Sequence, residues 1–153
     1  MKDYESAGLG IALRVPESWV VQEADGSLYL ASSQTALDEQ ALEGQAVVSI
    51  STSTTFDLNN TEDPIAIVNE FVSRFQGVGE GLEVTQEAAK TTIQGQTAAQ
   101  AAFRGVVSGQ QGAFTLTAIV QDGQVIVVFT VDGSDDNQYA DLLEQVTASV
   151  RFK

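Results

Sequence analysis

Hydrophobic and polar positions alternate from the start of the chain. Leu9, Ile11, Leu13 and Val15 are interleaved with Gly10, Ala12 and Arg14, the period-two pattern of a strand with one buried face. Pro16 interrupts this strand because it has no N–H to donate and a fixed φ. Trp19, Val20 and Val21 begin a second strand, Asp25-Gly26 supplies a two-residue hairpin turn, and Leu28 to Ala31 form the return. Such a turn needs φ > 0 at both central residues, which Asp-Gly tolerates. Trp19, the only tryptophan, is predicted to plug the core rather than to serve as a ligand platform. Its expected partner is the Asp63–Phe75 helix or the terminal helix.

Further along, Ser33 to Gly44 reads as a loop or one short helix, and Gln45 to Ser53 as a half-buried strand. A loop follows, and then Asp63-Pro64 opens a helix. Asp63 can cap orphan N–H groups, and proline suits the first helical position. Ile65, Val68, Phe71, Val72 and Phe75 recur at helical spacing and define its apolar stripe, with Gly77 and Gly79 as the stop. Leu82 to Ala88 is predicted as a strand and Thr91 to Ile93 as a short one. Thr97 to Ser108 is a longer strand. Ala113–Gln121 and Gln124–Val131 form a hairpin across Asp122-Gly123. Both of its strands are apolar on nearly both faces, as in a sheet covered above and below. Asp132 to Asn137 caps a terminal helix whose buried face is Tyr139, Leu142, Leu143, Val146 and Val150. The expected fold class is α+β: a single-domain α/β/α sandwich with a twisted antiparallel sheet of about six or seven strands and two main helices.

A strand of the form G-I-x-L-x-V-P-E-x-W, here Gly10 to Trp19, followed by a hairpin, resembles the opening of PsbP-like domains. The run from Tyr139 to Phe152 is similar to their closing helix and Ser-x-Arg-Phe segment. The order of elements between also agrees, so the resemblance covers nearly the whole chain. It implies the fold shared by PsbP-like domains, a Ran-GTPase release factor and bacterial secreted or lipid-anchored proteins of unknown role. On that basis residues 1–153 form a single PsbP-like domain, with 1–7 a flexible N-terminal segment. The matching residues are packing and turn residues, so no functional residue carries over.

Composition narrows the chemistry. The 153 residues are 43% hydrophobic, which suits a globular, soluble chain and no disordered one, and no apolar run approaches the ~20 residues of a transmembrane helix. Twenty-one acids against seven bases give a net charge of −14, with acids in excess in both halves. Such a surface disfavours nucleic acid and anionic membrane and leaves cationic proteins, peptides or metal ions as partners. With no cysteine and no histidine, thiol nucleophiles, disulfides, Ser-His and Cys-His dyads and the commonest zinc ligands are excluded. Met1-Lys2-Asp3 is not followed by the hydrophobic segment of an export signal. The resemblance nevertheless implies an extracytoplasmic location (periplasmic, cell-surface or secreted), since bacterial relatives usually follow a signal peptide or a lipidated cysteine.

The sequence offers four candidate sites. Asp132-Gly133-Ser134-Asp135-Asp136-Asn137 offers oxygen ligands as part of a calcium loop does, but its twelfth position is the apolar Leu143 rather than a bidentate Glu. A helix cap explains the same letters. Glu17, Glu23, Asp25, Asp38, Glu39 and Glu43 could supply paired carboxylates for glycoside hydrolysis, yet all lie in turns, strand ends or polar loops where solvent keeps them ionised. Gly77-Val78-Gly79-Glu80-Gly81 follows a helix and lacks the lysine and Ser/Thr of a phosphate loop. Phe56 and Leu58 are loop anchors or a small binding surface, and the Asn59-Asn60-Thr61 sequon is a chance match. No catalytic, cofactor-binding or metal-ligating residue is assigned, and no cofactor is implied. The expected function is a non-enzymatic binding or accessory domain, exported or membrane-tethered in the full-length protein, that contacts an unknown protein partner. It binds no nucleic acid and inserts no segment into a membrane, and its sequence implies no oligomeric state. The alternative is a small-molecule or metal-ion carrier with a pocket between helix and sheet.

Overall fold

The computed structural model describes residues 1–24, 26–34, 36, 44–54, 63–107, 110–134 and 138–152. In chain order the elements are β1 (Lys2–Ser6), β2 (Ile11–Val15), β3 (Val20–Ala24), β4 (Ser27–Ala31), β5 (Ala46–Thr54), α1 (Pro64–Val78), β6 (Gly79–Ile93), β7 (Gln96–Val107), β8 (Gln110–Gln121), β9 (Gln124–Asp132), α2 (Ala140–Ser149) and β10 (Arg151–Phe152). Seven strands form an antiparallel sheet in the order β3-β4-β5-β9-β8-β7-β6, and β1-β2-β10 form a second, three-stranded one. The fold is α+β, as the periodicities predict.

Strand parity puts the helices on opposite faces of the large sheet. On β9, Val125, Val127 and Val131 join the cluster containing Ile67, Val68 and Val72 of α1, together with Phe103 and Phe114. The intervening Ile126 and Val128 join the cluster containing Leu143 and Val146 of α2 and Ile11, Leu13 and Val15 of β2. Residues i and i+2 share a face, so one strand feeds two cores. The start of α1 is as expected: Ile65 N–H donates to Asp63 Oδ1 at 3.0 Å, and Ile67 N–H to the Asp63 carbonyl at 3.2 Å.

Two expectations need correction. The Leu9–Ala31 unit reads as three consecutive strands, but β2 lies between β1 and β10 in the small sheet, while β3 and β4 belong to the large one. Both ladder edges of β2 are occupied, by β1 and β10. The Pro16–Trp19 turn, closed by Trp19 N–H to the Pro16 carbonyl at 3.1 Å, carries the chain from one sheet to the other. Residues 2–6, read as flexible, run along β2 from Lys2 opposite Val15 to Ser6 opposite Ile11. Their sequence hides this, because only Ser6 is buried.

Strand β6 is one element where the sequence predicts two. Its pairing with β7 shifts register between Glu80 and Glu83, Val84 and Gln86, and Gln86 and Ala89. Each shift breaks the period-two alternation, so the strand has no continuous hydrophobic face to read. Gly105 of β7 adopts φ 147°; a Cβ there would lie 2.8 Å from Leu82 Cδ2 and 2.9 Å from the Gly81 carbonyl oxygen.

Gln96 ties the small sheet to the large one. Its Nε2 donates to the carbonyls of Ile93 at 2.9 Å and Val150 at 3.2 Å, and its Oε1 accepts the Phe152 N–H at 3.0 Å. Gln96→Leu keeps the volume but leaves these groups unpaired, so it should lower stability by roughly 1–3 kcal/mol. Urea unfolding measures the loss, and amide exchange should accelerate at Phe152.

Candidate functional site

The sequence-derived candidates are scattered. Glu17 is exposed in the turn before Trp19. Glu23 accepts hydrogen bonds from the hydroxyls of Ser6 and, at 3.0 Å, Tyr4, which fastens β1 to β3. Burial, then the hydrogen bond and charge of Glu23, raise the Tyr4 pKa above its ordinary value. Asp25, Asp38, Glu39, Glu43, Phe56, Leu58 and the Asn59–Thr61 sequon lie outside the described residues. The glycines from Gly77 to Gly81 span the end of α1 and the start of β6.

Asp132 works as a cap. Its Oδ1 accepts Ser134 N–H at 2.9 Å and Ser134 Oγ–H at 2.5 Å, and its Oδ2 accepts Tyr139 N–H at 3.1 Å. The carboxylate is buried and holds the chain entering α2; the N-cap residue Tyr139 makes no side-chain cap bond. Asp135, Asp136 and Asn137 lie outside the described residues.

The arrangement that sequence reasoning missed begins beside this cap. A helix ~10 Å across covers about two strands spaced ~4.8 Å apart, so α2 and the small sheet cannot cover seven. Where they stop, a cleft of about 270 Å³ opens between α2 and the sheet, lined by Gln86, Gln100, Ala113, Thr115, Thr130, Asp132, Ala140, Leu143, Glu144 and Thr147. The register places Ala102, Thr115 and Thr130 in one row across β7, β8 and β9, and Arg104, Ala113 and Asp132 in the next. The opposite face of the same strands carries Phe103, Phe114, Leu116 and Val131. At this end of the sheet the α2 face is polar, with Thr130 and Asp132 buried on β9 and Ala113 and Thr115 half-buried on β8. A signal was available: Thr115, Thr117, Thr130 and Asp132 recur at period two, with Gln100 and Ala102 on the neighbouring strand.

No model of a known protein family matches the chain, and no curated protein matches its sequence. Solved structures do match. LpqN, involved in cell envelope biogenesis of Mycobacterium tuberculosis, superposes with a TM-score of 0.62 at 17% identity, over 92% of this chain and 81% of its own. Cyanobacterial PsbP (CyanoP) of Synechocystis sp. PCC 6803 gives 0.56 at 14% identity, over 99% of this chain and 92% of its own. A protein from Bacteroides thetaiotaomicron gives 0.61 at 12% identity over 99% of this chain, which spans about half (48%) of that protein's length. At these identities the likeness is one of architecture, and it agrees with the residue pattern at both ends of the chain: the protein has the PsbP-like fold.

Proposed function

We propose that this chain is a non-enzymatic accessory domain that acts outside the cytoplasm, exported or membrane-tethered in the full-length protein, and docks on a protein partner through its surface. The observation that carries this reading is the likeness of nearly the whole chain to a PsbP protein and to a cell-envelope biogenesis protein. No helix among the described residues is long and apolar enough to cross a membrane, so a docking role rests on the folded surface. The charge of −14 selects a basic partner, because an acidic field accelerates encounter with positive surfaces and repels phosphate backbones. A lysine-rich peptide should bind the full chain at low salt and weaken steeply as ionic strength approaches ~0.15 M, where the Debye length falls to ~8 Å. DNA and RNA should give no saturable binding in parallel anisotropy titrations. Nucleic-acid binding that survives this salt would overturn the reading and direct attention to Lys90, Arg104 and Arg151. A second reading, a small-molecule carrier, is favoured by one observation, the cleft between α2 and the sheet.

A further inference from the structure

We infer that this cleft binds a compact cationic molecule rich in hydrogen-bonding groups: a polyhydroxylated amine. The inference rests on the carrier reading alone. Docking on a partner makes no use of the cleft, so failure of either leaves the other standing.

The first ground is hydroxyl groups without partners. Thr130 and Thr147 are each only 3% exposed and line the cleft. Neither hydroxyl, nor that of Thr115, bonds to a described residue. Every side-chain oxygen and nitrogen sealed from solvent among the described residues has a partner, so these hydroxyls open onto the cleft. Thr117 makes the contrast: its hydroxyl accepts Gln100 Nε2–H at 3.0 Å, leaving Gln100 Oε1 as an acceptor at the wall. Valine would fill the threonine positions with the same shape, so their oxygens need a guest or water. The cleft's volume of about 270 Å³ gives room for one six-membered ring with its substituents.

The second ground is the sign of the charge. Among the described residues, Asp132 and Glu144 are the only charged ones lining the cleft, and no lysine or arginine joins them. Arg104, opposite Ala113, is exposed and outside the lining. Tyr139 N–H, at the entry to α2, donates to Asp132. A carboxylate has about four lone-pair sites and Asp132 uses three, so one remains. Glu144 stands on α2 without an ion-pair partner among the described residues. Ala113, Ala140 and Leu143 supply methyl groups against which a carbon skeleton can rest.

The test is amide NMR titration of the full chain at low salt with glucosamine, glucose and glucuronate, which present an amine, no charge and a carboxylate on one ring. Glucosamine should produce saturable shifts centred on Thr115, Thr130 and Thr147. Glucose should bind about fivefold more weakly, and glucuronate should not bind. Thr130→Val should weaken glucosamine about fivefold while leaving the melting temperature unchanged or higher, since its hydroxyl has no partner to lose among the described residues. Glu144→Gln should bring glucosamine towards the affinity of glucose. Equal binding of all three sugars, preference for glucuronate, absence of local shifts with glucosamine, or loss of stability in Thr130→Val would each overturn the inference.

Discussion

Trp19→Ala is expected to destabilise the protein by about 3–5 kcal/mol, seen as a fall of roughly 10–15 °C in melting temperature for a domain of this size. Trp19 is 7% exposed and packs in the cluster with Leu28, Leu30, Leu143 and Val146. Its ring meets Tyr139 edge-on, centroids 6.0 Å apart and planes at 70°. It therefore packs towards the terminal helix, one of the two partners its sequence position suggests, and not against α1. The truncation leaves a cavity where three elements meet: the Pro16 turn, the large sheet and the entry to α2. Calorimetry measures the loss. A native emission maximum close to that of free tryptophan, readily quenched by iodide, would contradict the burial. A double-mutant cycle with Tyr139 should return about 0.5–1.5 kcal/mol for the ring pair.

Phe114→Ala is expected to cost about 4–5 kcal/mol, read as a lower urea midpoint. Four phenylalanines from α1 and three strands form a closed ring of contacts. Phe75 stacks on Phe129 at 4.8 Å and 8°, and Phe129 on Phe114 at 5.8 Å and 10°. Phe114 stacks on Phe103 at 5.3 Å and 22°, and Phe103 meets Phe75 at 5.7 Å and 37°. Phe114 is 2% exposed, so its loss breaks two of these contacts and opens a void that β8 and β9 cannot close without losing register. Phe75→Ala should cost less, because Phe75 is only half-buried at the edge of the helix.

Elements whose signal is local were legible in the sequence. Asp63-Pro64 announces α1, and Asp122-Gly123 announces its turn, where φ is 50° and 77° as a tight hairpin requires. Tyr139 to Val150 announces α2. What depends on partners distant in sequence was not legible. Nothing in Ile11 to Val15 says that its ladder goes to Lys2–Ser6 and Arg151–Phe152 rather than to β3, because alternation fixes which face is buried and not which strand lies alongside. The turn at Gln94-Gly95 (φ 52° and 75°) carries a weaker local signal, since glutamine is an uncommon choice for that conformation; its Nε2 finds the Ala148 carbonyl at 2.9 Å. The cleft was hidden for another reason. Threonine is a good strand former, so Thr115, Thr117 and Thr130 read as ordinary sheet residues, and nothing local to them says that a cleft separates part of this face from α2.

The small sheet also dictates when the domain can finish folding. Strand β2 is completed by β10, and the Arg14 N–H donates to Ser149 Oγ across 135 residues at 2.9 Å. Closing a loop of that length costs about 4 kcal/mol of chain entropy by the logarithmic rule, and the contact cannot form until α2 has been made. Through most of synthesis Ile11, Leu13 and Val15 therefore sit in a hairpin with one edge of backbone groups unpaired and their apolar side chains uncovered. Such an edge pairs with any strand it meets, which makes the first fifteen residues the part of a growing chain most in need of shielding.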